Sequence, residues 1–439
     1  MARSTGKTGD PPRGRVHLGK RGTKHAERLQ GGFVNILFLT PSLPYPPHQG
    51  GAMRNYGLLR AAADAGHTVT LVSFTDHEPG YLPAELERLA QQIITVRAPA
   101  RNRIERLRDF FLSPSADLAK RLESPAMRAE LNLLLRSNRY EVIQFEGLEM
   151  AAYLDQAARL QPEARLIYDA HNAEYALQAA IAETPGMELR ARLASLYSRV
   201  QSRRIGVFEK HICQQAHTVI AVSREDADLL RGFRADGQVH VLPNGIDVEQ
   251  YQTPFPASEP LKQPALVFTG KMDYRPNVDA VGWFCREVLP LITAQVHDAH
   301  LYVVGQRPHP SLNFLHTHGQ VTVTGAVPSV QPYLHQAAVY IAPLRMGSGT
   351  RLKILEALAG GCAVVATPMA CSGLSEAVLS AVILADSPKP FADAVIRLLK
   401  NPALREQIRA RGSEAVRAHY DWSVLAPQYV HILEDERSG

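Results

Sequence analysis

Cysteine is scarce in this chain. There are four in 439 residues, Cys213, Cys285, Cys362 and Cys371, far apart and with no CxxC pair. That spacing excludes a disulfide framework and a thiolate metal site, and it suits reduced thiols in a cytoplasmic compartment. Long apolar runs are also missing, for none reaches the roughly 18 residues of a membrane span. A surplus of either charge is absent from the body. The net charge is +5, but residues 1–30 hold eight Lys/Arg (Arg3, Lys7, Arg13, Arg15, Lys20, Arg21, Lys24, Arg28) against Asp10 and Glu27, which leaves the rest at −1. No nucleic-acid partner is expected of such a body. The first strand-to-helix turn lacks GxGxxG with an acid about 20 residues on, which removes a nicotinamide oxidoreductase.

Residues 1–32 are poor in apolar side chains and rich in Gly, Pro and Thr, and they read as a disordered basic tail. The tail has no apolar centre of a secretory signal. Gly6-Lys7-Thr8 follows no strand or leading glycine, so it is not a P-loop. An overlong start, a solvated tail, and an arm drawn to anionic lipid or nucleic acid are the three readings of it.

What is present is an ordinary globular composition, 45% hydrophobic and 21% charged, in a chain long enough for two domains. Apolar runs alternate with helical patterns twice. The first alternation holds the runs NILFLT (35–40), TVTLVSF (68–74), QIITVRA (92–98), EVIQFE (141–146), RLIYDA (165–170), HTVIAVS (217–223) and VHVLPNGID (239–247). Gly50-Gly51 opens its first helix, either as a simple tight turn or for close backbone approach to a ligand. His171-Asn172 stands where RLIYDA ends, an edge that faces the ligand crevice in such sheets. Residues 101–137 read as helical; RNRIERLRDFFL within them suits a packed helix with Arg outward or an anionic membrane surface. Asp226-Ala227-Asp228 rides a helix and reads as a solvated face. YQTPFPASEPLKQP, with four prolines, reads as a linker.

The second alternation begins at ALVFTG (265–270) and contains PLRMGSGTRLKILEALAGGCAVVATP (343–368). Strand, glycine loop, helix and strand follow one another there. Free N–H groups and the positive helix end suit a phosphate, with Arg351 and Lys353 adding charge. Glu356, about one turn on, can accept from a sugar hydroxyl. The expected fold is α/β, two Rossmann-like doubly wound domains facing each other across a cleft. The boundaries are 33–247 for the first domain, 248–263 for the linker and 264–415 for the second, with a helix at about 416–439 packing back on the first.

These pieces resemble family 4 glycosyltransferases of the GT-B fold, closest to bacterial sugar transferases associated with exopolysaccharide. The resemblance rests on TPSLPYPPHQGGAMRN, YDAHNAEY, AVSREDADLL, VLPNGID, FTGKMDYRPNVDAV and GSGTRLKILEALAGGCAVVATP, in that order over about 33–439. It implies a retaining sugar transfer from a nucleotide-sugar donor to a glycan or lipid-linked acceptor, without a metal or other cofactor, at the cytoplasmic face of the membrane. It carries His171, Lys271 and Arg351 over as catalytic residues. Gly50, Gly51, Gly349 and Thr350 would meet the donor phosphates, Glu356 the ribose, and Gly325 and Val327 the base. Two positions depart from the family pattern. Ser348 stands where many members have a Glu, and Pro276-Asn277 where many have a second Lys, a role carried over to Arg275. A sugar-nucleotide epimerase would need paired carboxylates in the cleft, with Glu146 and Asp169 as the candidates. A non-catalytic partner of another transferase is the other alternative.

Overall fold

The computed structural model describes residues 33–47, 50–77, 82–100, 115–183, 189–253, 259–317, 319–346 and 352–435. They form two separate sheets. The first consists of β1 (Asn35–Thr40), β2 (Thr68–Thr75), β3 (Gln92–Arg97), β4 (Val142–Glu146), β5 (Arg165–Ala170), β6 (Thr218–Ala221) and β7 (His240–Val241), in the order β3-β2-β1-β4-β5-β6-β7. The second consists of β8 (Ala265–Thr269), β9 (His300–Val304), β10 (Val321–Gly325), β11 (Val339–Ala342), β12 (Val364–Ala366) and β13 (Ile383–Leu384), in the order β10-β9-β8-β11-β12-β13. Every pairing is parallel.

The central strands are apolar without alternation because helices cover both faces. Ile36 to Leu39 and Ala265 to Phe268 are wholly buried. In each sheet the strand order reverses once, between β1 and β4 and between β8 and β11. Strand carboxyl ends diverge at such points and leave a crevice. The helix Gly50–Asp64 starts at the first crevice and the helix Leu352–Ala359 at the second.

The chain crosses between the sheets twice, and the crossings are tied together. Ile246 N–H donates to Tyr420 O at 2.8 Å, and Trp422 N–H to Ile246 O at 3.1 Å. The helix Trp422–Glu434 then lies on the helix Gly50–Asp64. Its Trp422 ring comes so close that a Cβ on Gly57 would stand 1.9 Å from it, and one on Gly245 2.6 Å. Glycine at both positions makes this approach sterically open. The returning helix starts at Trp422, later than the expected 416. Asp421 is extended and accepts from Ser423 N–H, which separates it from the preceding helix. That helix, Pro402–Tyr420, stays on the second sheet, with Gly412 against Leu358.

Three local readings change. The stretch 248–263 is not wholly a linker. Val248–Gln252 is a short helix whose Val248 and Tyr251 are buried, hidden in sequence by the prolines that follow it. The helical reading of 101–137 resolves into Asp117–Arg121 and Pro125–Ser137, the second N-capped by Ser124; residues 101–114, like 1–32, lie outside the described residues. Asp226 is not on a solvated face. It accepts from Ala173 N–H at 2.8 Å and from Ser223 Oγ at 2.6 Å, so it braces the loop after β5.

Candidate active site

Glu146 ends β4, Asp169 lies one residue from the end of β5, and His171 follows that strand. Carboxylates inside buried strands need a cation. Arg54, in the second turn of the helix Gly50–Asp64, supplies it. Its Nε and Nη2 donate to the two Asp169 oxygens at 2.6 and 2.5 Å, and Nη1 donates to Leu242 O and Asn244 Oδ1, both at 2.9 Å. Arg54, Glu146 and Asp169 are buried. Gln144 Nε2 donates to Glu146 Oε1 at 2.6 Å, and Gln144 Oε1 accepts from Tyr429 Oη of the returning helix at 2.7 Å. Asn55, its amide nitrogen turned inward, donates to Glu146 Oε2 at 2.7 Å and Gly51 O at 3.1 Å.

His171 sits on this platform. Its Nε2 is 3.2 Å from Glu146 Oε2 and 3.6 Å from Asp169 Oδ2. With that nitrogen engaged, the Nδ1 edge looks toward Gly51 and Gly147, where added Cβ atoms would stand 3.9 and 3.5 Å away. Burial pulls the imidazole down, but the Glu146 hydrogen bond and the Asp169 charge outweigh it and hold its pKa above the usual value. Burial would raise Asp169 too, and Arg54 holds it low instead. Burial first, and then the Asp169 charge, push Glu146 up to about 8.

Glu146, Asp169 and His171 are the one cluster of metal-ligand type among the described residues. It does not suit a cation. Both Asp169 oxygens are taken by the Arg54 guanidinium, whose charge opposes a metal ion at that spot. The same arrangement puts the two carboxyls behind His171 rather than in the cleft, where the paired acid and base of an epimerase would have to stand.

A pH dependence follows. Folded, Glu146 keeps its proton to about pH 8, whereas its ordinary value is 4.5. Between these values the native state binds more protons, so stability falls as pH rises. Glu146→Gln keeps the shape of the neutral acid. Its melting temperature should equal wild type near pH 4.5 and exceed it at pH 8–9, by stability on the order of a few kcal/mol. Scanning fluorimetry from pH 4.5 to 9 measures this, and parallel curves for the two proteins would rule it out.

On the opposite wall, Gly270 and Lys271 follow β8. Lys271 is exposed, with Nζ 3.8 Å from Asp273 Oδ1. Arg275 is exposed at the start of the helix Arg275–Trp283. Gly325, at φ 71°, ends β10, and Val327 packs on the second core just beyond it. Glu356 is half-buried and accepts from Tyr251 Oη at 2.7 Å. Gly349, Thr350 and Arg351 lie outside the described residues. The two walls meet: a Cβ on Gly50 would stand 3.2 Å from Leu352 Cδ1. Gly50, Gly51 and His171 are therefore brought together, facing the helix that carries Glu356. Sequence reading did not single out Arg54, Asn55, Asn244 or Tyr251. The signal for Arg54 was the carboxylate inside the apolar strand RLIYDA, which requires a buried partner.

Two doubly wound parallel sheets whose switch points face each other define the GT-B fold. Solved structures agree. The chain matches sucrose-phosphate synthase from Thermosynechococcus elongatus with a TM-score of 0.63 at 19% identity, over 91% of this chain and 98% of that one. It matches Anabaena HepE, solved in complex with UDP and glucose, with a TM-score of 0.61 at 14% identity, over 91% and 99%. Residues 49–250 match the profile described as Glycosyltransferase Family 4, and residues 263–401 that of Glycosyl transferases group 1. The chain belongs to the family 4 glycosyltransferases. Among curated relatives, the phosphatidyl-myo-inositol mannosyltransferase of Mycobacterium tuberculosis is 30% identical over 211 residues, 44% of this chain and 53% of that one. That of Mycobacterium leprae is 29% identical over 204 residues, 44% and 52%. The chain thus spans about half the length of the curated relatives it matches. No described helix is long and apolar enough to cross a membrane.

Proposed function

We propose that this chain is a retaining glycosyltransferase that moves a sugar from a nucleotide-sugar donor, held by the second domain, to a lipid-linked glycan held by the first. The observation that carries the reading is the meeting of the two crevices. The helix start at Gly50-Gly51, with His171 beside it, confronts the helix that follows the glycine loop. Each helix start offers unpaired N–H groups and a positive dipole end to an anion.

Departure of the leaving group places negative charge on the diphosphate. Lys271, Arg351 and the helix start stabilise that charge without a metal ion. Glu146 and Asp169 are buried behind His171, so neither of them stands in the cleft as a nucleophile. Attack from the face the diphosphate leaves, with a phosphate oxygen taking the acceptor proton, gives retention. The protein then positions and neutralises. His171 meets the donor sugar, Glu356 the ribose, and the backbone around Gly325 and Val327 the base. The names of the mycobacterial relatives, phosphatidyl-myo-inositol mannosyltransferases, support a lipid acceptor. A role in cell-surface polysaccharide or exopolysaccharide synthesis, as a peripheral protein on the cytoplasmic face, fits such an acceptor.

Tyr251 holds the Glu356 carboxylate from the crossing segment, so its hydroxyl fixes the group that meets the ribose. Tyr251→Phe should weaken nucleoside diphosphate binding about 5- to 10-fold, the worth of one ordinary side-chain hydrogen bond. It should also narrow the preference for ribo- over 2′-deoxynucleotides. Unchanged affinity and preference in calorimetry would remove this role.

The test of the function is a thermal-shift screen of the whole chain against UDP-, GDP-, ADP- and dTDP-sugars, with and without EDTA. A ligand at 100 times its Kd adds about 2.7 kcal/mol. One donor that shifts melting in EDTA, followed by turnover onto a lipid-linked acceptor, is the expected result. A donor that binds but never turns over would leave a non-catalytic binding partner. No shift from any donor would overturn the reading.

A further inference from the structure

We infer that Glu149 holds the acceptor at its reacting end, accepting a hydrogen bond from a hydroxyl beside the one that attacks, and that this end is an uncharged polyol ring. The inference rests on the transferase reading above.

The place is a notch over Gly147. β4 ends in Glu146 and runs straight into the short helix Gly147–Met150. Gly147 makes that corner at φ 76°, in the left-handed region where a side chain is strained. The absence of a side chain leaves the notch open. A Cβ on Gly147 would stand 3.3 Å from Glu149 Oε2 and 3.5 Å from His171 Nδ1. The carboxylate and the imidazole are therefore the two walls, and one ring lying over Gly147 meets both.

The notch is on the far side of the histidine from the donor. The same Nδ1 is 3.9 Å from the Cβ position of Gly51, at the helix start assigned to the donor phosphates. His171 thus stands between Gly51 and Gly147. The neighbouring carboxyls are engaged elsewhere. Glu146 and Asp169 face Nε2 from behind. Glu174 Oε1 accepts from Asn172 Nδ2 at 2.9 Å, and burial first, then the Glu149 charge, push its pKa above the usual value. Glu149 is 22% exposed, and its Oε1 lies 3.5 Å from Nη1 of Arg121, an exposed guanidinium. An exposed pair at that distance is weak, and a carboxylate has room for several hydrogen bonds. Glu149 keeps accepting capacity toward the notch.

A carboxylate accepts and does not donate, so its partner over Gly147 is a hydroxyl. A phosphate or acid group carried at that place would meet like charge and be rejected. The reacting ring is then a sugar or another polyol with no acid beside the attacking hydroxyl, whatever charge the lipid carries further out.

The experiment takes the full chain, the donor that shifts its melting, and octyl glucoside, galactoside and mannoside as acceptors, each beside the matching octyl uronide. Wild type should prefer a neutral acceptor by about 10-fold or more in kcat/KM. Glu149→Ala should raise the acceptor KM about 10- to 100-fold, as for loss of a hydrogen bond to a charged group. Its kcat and donor KM should stay within about threefold of wild type. Glu149→Gln, which keeps the shape without the charge, should lose most of the discrimination against the uronide. Melting curves check that each variant is folded, and if Glu149→Ala does not fold, the neutral-to-uronide ratio of Glu149→Gln decides. An unchanged acceptor KM in Glu149→Ala, a fall confined to kcat, or uronides used by wild type as readily as neutral acceptors overturns the assignment while leaving the transferase reading intact. Donor binding with transfer to none of these acceptors also overturns it. No melting shift from any donor overturns the transferase reading, and the Glu149 assignment with it.

Discussion

Arg54→Met should cost the first domain about 3–5 kcal/mol, enough to leave much of it unfolded at neutral pH. The guanidinium is 1% exposed and makes four hydrogen bonds: two to Asp169, one to Leu242 O and one to Asn244. Its removal strands the Asp169 carboxylate, 0% exposed, beside a second buried acid, Glu146. It also severs the link from the helix Gly50–Asp64 to the crossing segment at Leu242 and Asn244. The cost lies chiefly in the uncompensated charge. The double variant Arg54→Met/Asp169→Asn should therefore recover a large part of the loss. Urea denaturation of the three proteins gives the coupling energy. A single variant within about 1 kcal/mol of wild type would mean that the pair is not the keystone of this wall.

His171→Ala should lower sugar transfer about 10²- to 10³-fold with little effect on folding, the usual cost of losing one positioned donor in a water-excluded site. The imidazole is 22% exposed and lies between the buried platform and the glycine walls. Its removal opens space in the crevice without emptying the core. Because the buried carboxyls engage Nε2, the opposite edge faces the crevice, where the sugar of the donor would stand. Nucleoside diphosphate affinity should hardly change, since under the proposed function the base and ribose would sit on the other wall. Transfer at the wild-type rate would remove His171 from the reaction. A parallel fall in nucleotide affinity would place it on the diphosphate instead.

The strands were legible because each is a short apolar run closed by Gly, Pro or a polar pair, and fully buried parallel strands need nothing else. The helix start at Gly50-Gly51 was legible because the glycine pair follows a proline-rich loop in which no helix can run. Long-range pairings were not. Arg54 and Asp169 are 115 residues apart, and nothing local in HQGGAMRNYG says that its arginine turns inward. The helix Val248–Gln252 was masked by the prolines after it, and with it the hydrogen bond from Tyr251 to Glu356. The bond from Lys353 to Asn277 spans 76 residues, and nothing local in either stretch announces it. Asp226 read as solvated because helical spacing cannot show a loop arriving from β5.

The packing of the helix Trp422–Glu434 bears on how the protein is made. Leu425, Tyr429, Ile432 and Leu433 join Ile36, Phe38, Leu58, Leu59 and Val69 in one cluster. Translation delivers these two halves far apart in time. At 5–20 residues per second, the 180 residues between the first sheet, which ends at Val241, and this helix take about 9 to 36 s. Through that interval the nascent first sheet stands without its last cover, while the second assembles and closes. A ribosome that stops before Trp422 would release a chain with one finished half and one adhesive half, a natural client for chaperones.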